Sequence, residues 1–161
     1  MPTFSSTAEL KSYILSKSLV AVYNATTTAR DTVEDSVNNF YESDPDYYIR
    51  TDRLFSSLSY PDVKKSGNGV EGEIHFDEGF LDYQQGPVPL KQSLNGSMYG
   101  YANYANLGGS EAILNAAMTG NPGELNWTNG TAIWNESIPE LKGKMYDEIK
   151  KELKAAGIPV Q

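Results

Sequence analysis

The chain of 161 residues contains no cysteine, which excludes disulfides, thiolate metal sites and a cysteine nucleophile. It has one histidine, His75, so a zinc site would need three or more carboxylates, an unusual donor set. No apolar run approaches the roughly 18 residues that a membrane span needs. The opening Met1-Pro2-Thr3-Phe4 lacks the basic and apolar regions of a signal peptide. These features predict a product that stays in the cytoplasm where it is made. Basic residues are also scarce: 13 Lys and Arg stand against 21 Asp and Glu, a net charge of −8. That balance argues against nucleic-acid binding by phosphate neutralisation, which wants Lys and Arg clustered on one face.

What is present suffices for a core. Hydrophobic residues make up 39% of the chain, and 11 Tyr with 5 Phe supply large apolar area. We therefore expect one folded domain over 1–161. The acid is unevenly spread. Between Arg30 and Arg50 lie Asp31, Glu34, Asp35, Glu42, Asp44 and Asp46, with no basic residue among them. Such a run is ordinarily a solvated helix face and loop; in an assembly it would form a negative wall.

The periodicity predicts a long helix over 7–42. Ser6-Thr7-Ala8-Glu9 is a capping-box pattern. Leu15, Leu19, Val22, Thr26, Ala29, Val33, Val37 and Phe40 follow at helical spacing, with no Gly or Pro between Thr7 and Pro45. The stripe is thin and interrupted by Thr and Ser. A helix about 50 Å long exceeds what one small domain can cover, so part of it should pack on a neighbouring subunit. Ser43-Asp44-Pro45-Asp46 ends it.

A sheet region is expected over 47–136. Leu54, Phe55 and Leu58 suit one helical turn. Two strands, 58–65 and 70–76, flank the hairpin signal Ser66-Gly67-Asn68-Gly69. In the second strand Val70, Ile74 and Phe76 should point one way, with Glu71, Glu73 and His75 pointing the other. Pro61 makes the first an edge or bent strand. Residues 77–109 break every period and read as an extended loop, of a length usually functional or ordered by a partner. A short helix is expected over 110–118, followed by an extended stretch over 127–134 that returns to the sheet. Ser137-Ile138-Pro139-Glu140, a second capping box with Pro near the first turn, predicts an amphipathic C-terminal helix over 138–156. Together these elements make an α+β protein.

No catalytic constellation survives inspection, and a non-enzymatic protein without cofactor or metal is expected. Gly67-Asn68-Gly69-Val70-Glu71-Gly72 matches the dinucleotide fingerprint in letters only, because a strand rather than a helix should follow it. His75 sits on the polar side of a strand. Asp77, Glu78 and Asp82 lack the spacing of a calcium loop. Five Asn-x-Ser/Thr triplets, at Asn24, Asn95, Asn126, Asn129 and Asn135, follow from an Asn- and Thr-rich composition.

The order of the motifs resembles the tail-completion, or neck, proteins of long-tailed phages. That family is similar in its Tyr-x-Arg-Thr-x-x-Leu-x-x-Ser segment, here Tyr48-Ile49-Arg50-Thr51-Asp52-Arg53-Leu54-Phe55-Ser56-Ser57. A hairpin then closes on an acidic and aromatic segment, here Phe76-Asp77-Glu78 and Leu81-Asp82-Tyr83. A short helix with a Gly-rich turn, Ile113 to Gly123, and the Trp-containing Ile133-Trp134-Asn135-Glu136 before the last helix complete the likeness. It covers roughly residues 40–156. A Tyr/Asn/Gly tract at 95–109 is longer here than in the family, and Asn121-Pro122-Gly123 replaces a His-Gly type turn.

The resemblance implies a virion protein assembled in the bacterial host cytoplasm. It would be a homo-oligomeric ring subunit at the head–tail interface. Its partners would be the connector or stopper and the tail-tube or tail-terminator proteins, with DNA only in transit and no membrane. About six copies are favoured, and about twelve would match a portal layer. Two expectations attach to particular residues. Asp31, Glu34, Asp35, Glu42, Asp44 and Asp46 would face the lumen and repel DNA. Tyr99, Tyr101 and Tyr104 would anchor the 95–109 tract on a neighbouring ring, since tyrosine buries large area while keeping a hydrogen bond. A tail terminator or another minor tail or capsid protein is the alternative within this class. The alternative from another class is a carbohydrate- or ligand-binding module stacking its ligand on Trp127, Trp134 and the tyrosines.

Overall fold

In a computed structural model, residues 3–42, 53–77, 79, 88–89, 101–102, 114, 117–119 and 132–160 are described. The fold is α+β. Helix α1 (Thr7–Glu42) is followed by a single-turn helix α2 (Arg53–Ser57) and the strands β1 (Asp62–Ser66) and β2 (Gly69–Glu73). A second, two-residue ladder pairs β3 (Val88–Pro89) with β4 (Tyr101–Ala102) in antiparallel register. Leu114 and residues 117–119 are helical, and helix α3 (Ile133–Ala155) closes the order. The chain divides into two compact units gathered from non-consecutive stretches. The first comprises Met1–Thr32, Tyr60–Ile74 and Pro139–Gln161; the second comprises Val33–Ser59 and His75–Ile138.

Helix α1 starts where its cap predicts. The Glu9 N–H donates to Ser6 Oγ at 3.2 Å, as an N-cap serine requires. The Glu9 carboxylate reaches back one residue further than a capping box does, accepting from the Ser5 hydroxyl at 2.7 Å and the Ser5 N–H at 2.8 Å. These two bonds hold the Glu9 carboxyl below its ordinary pKa. The buried face of α1 is built from small residues: Ala21, Ala25, Thr26, Ala29, Thr32, Val33, Ser36 and Val37, ending in Phe40. Its threonines need no outside partner. Thr26 donates from Oγ1 to the Val22 carbonyl at 2.7 Å, and Thr32 to that of Thr28 at 2.9 Å.

In the first unit that small face admits the hairpin. Gly67, at φ 57°, occupies a left-handed turn position that glycine adopts without steric cost, and the pairs run from Ser66↔Gly69 to Asp62↔Glu73. Val70 and Ile74 are half-buried while Glu71 and Glu73 are exposed, the alternation expected. At the hairpin tip the Lys11 ammonium donates to Asn68 Oδ1 at 2.7 Å. At the far end α3 stops in a Schellman turn. Ile158 N–H bonds to the Leu153 carbonyl and Gly157 N–H to that of Lys154, with Gly157 at φ 75°. The Tyr13 hydroxyl donates to the Ala156 carbonyl at 2.9 Å, tying that turn to α1.

The second unit holds the larger buried side chains. Val33, Val37, Phe40, Leu54, Leu58, Ala117, Met118, Ala132 and Ile133 are all buried. Leu58 pairs with Phe76 in an isolated antiparallel bridge. Alongside it, Ser59 N–H bonds to the His75 carbonyl at 2.8 Å and Asp77 N–H to that of Ser57 at 2.8 Å. Asn39 Nδ2 donates to Glu136 Oε1 at 2.6 Å.

Three expectations need correction. The strand predicted over 58–65 is interrupted: Leu58 makes only its bridge, and β1 begins at Asp62, after Pro61. Proline has no N–H to give a ladder. The loop expected over 77–109 contains the β3–β4 ladder. The C-terminal helix begins at Ile133 rather than 138, so the end of the stretch expected to be extended over 127–134 is helical. Ser137 is then interior, wholly buried, with Oγ donating to the Ile133 carbonyl at 2.8 Å rather than capping. Burial of Ile133 and Ser137, one turn apart, extends the helix backwards and outweighs the local cap signal. Pro139 consequently lies inside the helix, where the Asn135 carbonyl has no N–H to accept from it.

Candidate assembly surface

Helix α1 carries the features that bear on function. At 100° per residue, Asp31, Asp35 and Glu42 fall within one narrow stripe turned away from the buried face, and all three are exposed. Glu34 is half-buried. Arg30 lies 3.8 Å from Asp31, too long and too solvated a pairing to count for much. Of the other predicted acidic positions, Asp44 and Asp46 lie outside the described residues. Tyr99 and Tyr104 also lie outside them. The Tyr101 backbone belongs to β4 and pairs with Pro89. The structure thus brings three of the acids into one stripe.

The exposed apolar side chains of interest belong to the first unit. Leu10, Ile14, Val20 and Tyr23 are large and exposed along the first half of α1, Val20 at 51% and Tyr23 at 53%. Two recesses adjoin them. One is lined by Phe4, Leu10, Tyr13, Ile14, Ile158 and Pro159 beside the C-terminal turn. The other is open and lined by Leu19, Val20 and Tyr23 of α1 with Val63 of β1. Sequence reasoning missed both. For the second the signal was nonetheless present: Tyr23 borders the Leu19–Val22 stripe and Val20 falls nearly opposite Val22, where a solvated helix face would carry polar residues.

Charge separates the units sharply. The stretches of the first unit hold ten Lys and Arg against nine Asp and Glu, and those of the second hold three against twelve. All of the net negative charge therefore belongs to the second unit. Lys17 lies one turn before Val20, its ammonium 5.7 Å from the Tyr13 ring centre, and Lys64 follows Val63 on β1. Tyr60, 83% exposed, has the Arg30 guanidinium 5.2 Å above its ring.

Residues that might have supplied chemistry are placed otherwise. His75 is exposed, and its backbone N–H donates to Ser59 Oγ at 2.9 Å. Among the described residues no group of three or more His, Cys, Asp or Glu is placed to hold a metal ion. Among them, too, no helix is long and apolar enough to cross a membrane. Trp134, expected on a strand as part of a stacking platform, is exposed but on α3, while Trp127 lies outside the described residues. The chain matches no protein-family model, no curated protein and no solved structure.

Proposed function

We propose that this chain is a structural assembly subunit without enzymatic activity, a homo-oligomeric ring protein at the head–tail interface of a long-tailed phage. One observation carries the assembly reading. The first half of a helix of 36 residues presents Leu10, Ile14, Val20 and Tyr23 to solvent, although four large apolar side chains along two recesses are normally covered. The motif order from Tyr48 to Glu136 supports the placement in the neck, between a connector and a tail tube or tail terminator. The acidic run, with Asp31, Asp35 and Glu42 in one exposed stripe and Glu34, Asp44 and Asp46 as its other members, is the wall past which DNA slides: like charge keeps a polyanion from adhering.

The deciding experiment is the solution mass of the purified protein across a concentration series, alone and with candidate connector and tail-tube proteins. A closed species of about six or about twelve copies, formed alone or on a partner, is the expected result. A monomer that ignores every such partner would overturn the proposal.

A further inference from the structure

We propose that Asn68, at the tip of the β1–β2 hairpin, is a site of self-modification. It loses its side-chain amide by cyclising onto the Gly69 nitrogen, and the Lys11 ammonium assists. The inference is independent of the assembly reading.

The step balances with water as the sole co-reactant. The Gly69 nitrogen adds to Asn68 Cγ and forms a new N–Cγ bond. The Cγ–Nδ2 bond breaks, and Nδ2 departs as ammonia, carrying the proton that Gly69 gives up. The product is a cyclic imide, which water opens in one of two ways. Cleavage between the nitrogen and Cγ leaves aspartate at position 68 in an unchanged backbone. Cleavage at the main-chain carbonyl leaves isoaspartate, with the chain routed through Cβ and Cγ. Nothing is oxidised or reduced.

Three observations lead to it. First, Asn68 and Gly69 are both exposed, so water reaches the ring and ammonia leaves freely. Second, Gly69 has no side chain to shield its nitrogen. Chain neighbours apart, a Cβ there would have only the Ser66 carbonyl oxygen nearby, at 3.7 Å. The Ser66↔Gly69 pair is also the last of the ladder, and terminal pairs open at the least cost. Third, the Lys11 ammonium lies 2.7 Å from Asn68 Oδ1, the oxygen on which negative charge grows as the nitrogen adds. A cation already in place stabilises that charge without reorganising. The aspartate product would then face Lys11 as a carboxylate, a stronger acceptor than the amide it replaces.

The test incubates the full chain in neutral buffer and maps its peptides by mass spectrometry over time. Two other Asn-Gly pairs, Asn95-Gly96 and Asn129-Gly130, serve as references in the same molecule. Asn68 of the folded wild type should convert to a mixture of aspartate and isoaspartate. Lys11 is exposed, so Lys11→Gln should stay folded, as circular dichroism would report. It should slow conversion at Asn68 about fivefold, less than the roughly hundredfold loss on removing a buried oxyanion donor, and leave both references unchanged. Gly69→Ala, at a position with room for a methyl group, should slow conversion and reduce isoaspartate with it.

A urea-unfolded sample shows that the assay reads Asn68. If the unfolded chain loses this amide while the folded chain keeps it, the turn protects Asn68 and the proposal is overturned. If Lys11→Gln leaves the rate at Asn68 unchanged, or slows all three pairs alike, the ammonium has no local part and the proposal fails as stated. Conversion to aspartate without isoaspartate would mean direct hydrolysis and would overturn the cyclisation.

Discussion

Gly72 of β2 and Thr26 of α1 approach so closely that no side chain fits between them. A Cβ at position 72 would overlap Thr26 Oγ1 and lie 2.9 Å from Val22 Cγ1. Thr26 cannot easily withdraw, because it is buried and its hydroxyl is committed to the Val22 carbonyl. Gly72→Ala should therefore force the hairpin away from the helix and destabilise the protein by about 1–3 kcal/mol, the usual cost of overpacking. Chemical denaturation measures this. Thr26→Ala in the same background should recover part of the loss, and the absence of any recovery would show that the close approach is not what Gly72 provides.

Pro139 offers a test with the opposite sign. Because α3 begins at Ile133, Pro139 lies well past the first turn and leaves the Asn135 carbonyl without its helical donor. Pro139→Ala should stabilise the protein, by up to about 3 kcal/mol if nothing else relaxes. Had the helix begun at 138, proline would occupy a favoured early position and the substitution would be neutral or slightly harmful. The sign of the change in thermal midpoint distinguishes the two.

Truncating Ile133 should be costly. It is wholly buried, so Ile133→Ala removes a large side chain from the second unit and should cost about 2–5 kcal/mol. Tyr60→Ala, at a site 83% exposed, should change stability by no more than about 0.5 kcal/mol. Parallel urea titrations of the two variants check the contrast.

Acid should loosen the start of α1. The Ser5 hydroxyl and then the Ser5 N–H lower the Glu9 pKa, so the folded value lies below the unfolded one. The sign follows from linkage: the contribution is complete above the unfolded value and is lost as pH falls through the folded one. Ser5→Ala should raise the Glu9 pKa back toward its ordinary position, as an NMR titration of the Glu9 carboxyl would record. An unchanged titration would mean that the Ser5–Glu9 contact is not populated in solution.

Neutralising the acidic stripe should affect DNA rather than the fold. Asp31→Asn, Asp35→Asn and Glu42→Gln together alter exposed positions, where substitutions usually change stability by less than about 0.5 kcal/mol each. The triple variant should retain wild-type stability and association but retard more DNA in a low-salt gel assay. A variant that binds no more DNA than wild type would refute the lumen-facing role of these acids.

Much of the architecture was legible because local rules and burial agreed. Helix α1 is found over 7–42 as predicted, since its cap, its period and the lack of Gly and Pro point the same way. The hairpin turn follows from Gly67-Asn68, and the α+β class from the order of elements. The start of α3 was misread for a physical reason. Ser137 and Pro139 form a convincing local cap, but the core of the second unit takes Ile133 and Ser137 into its interior, and that burial exceeds what a cap contributes. The recess beside α1 was hidden for a related reason: Val63 is distant in sequence from Leu19, Val20 and Tyr23, and only packing brings it alongside them.

The sequence by itself therefore determined the helices' existence, the hairpin, the net charge and the run of acids along α1, because each depends on neighbours within a turn or two. Tertiary structure decided where α3 begins, why residue 72 is glycine, and which apolar side chains remain uncovered. It also sorted an overall charge of −8 into a nearly neutral unit and an acidic one, since each unit is gathered from stretches that are not consecutive. Burial and charge partition depend on contacts between distant parts of the chain, and no local pattern encodes those contacts.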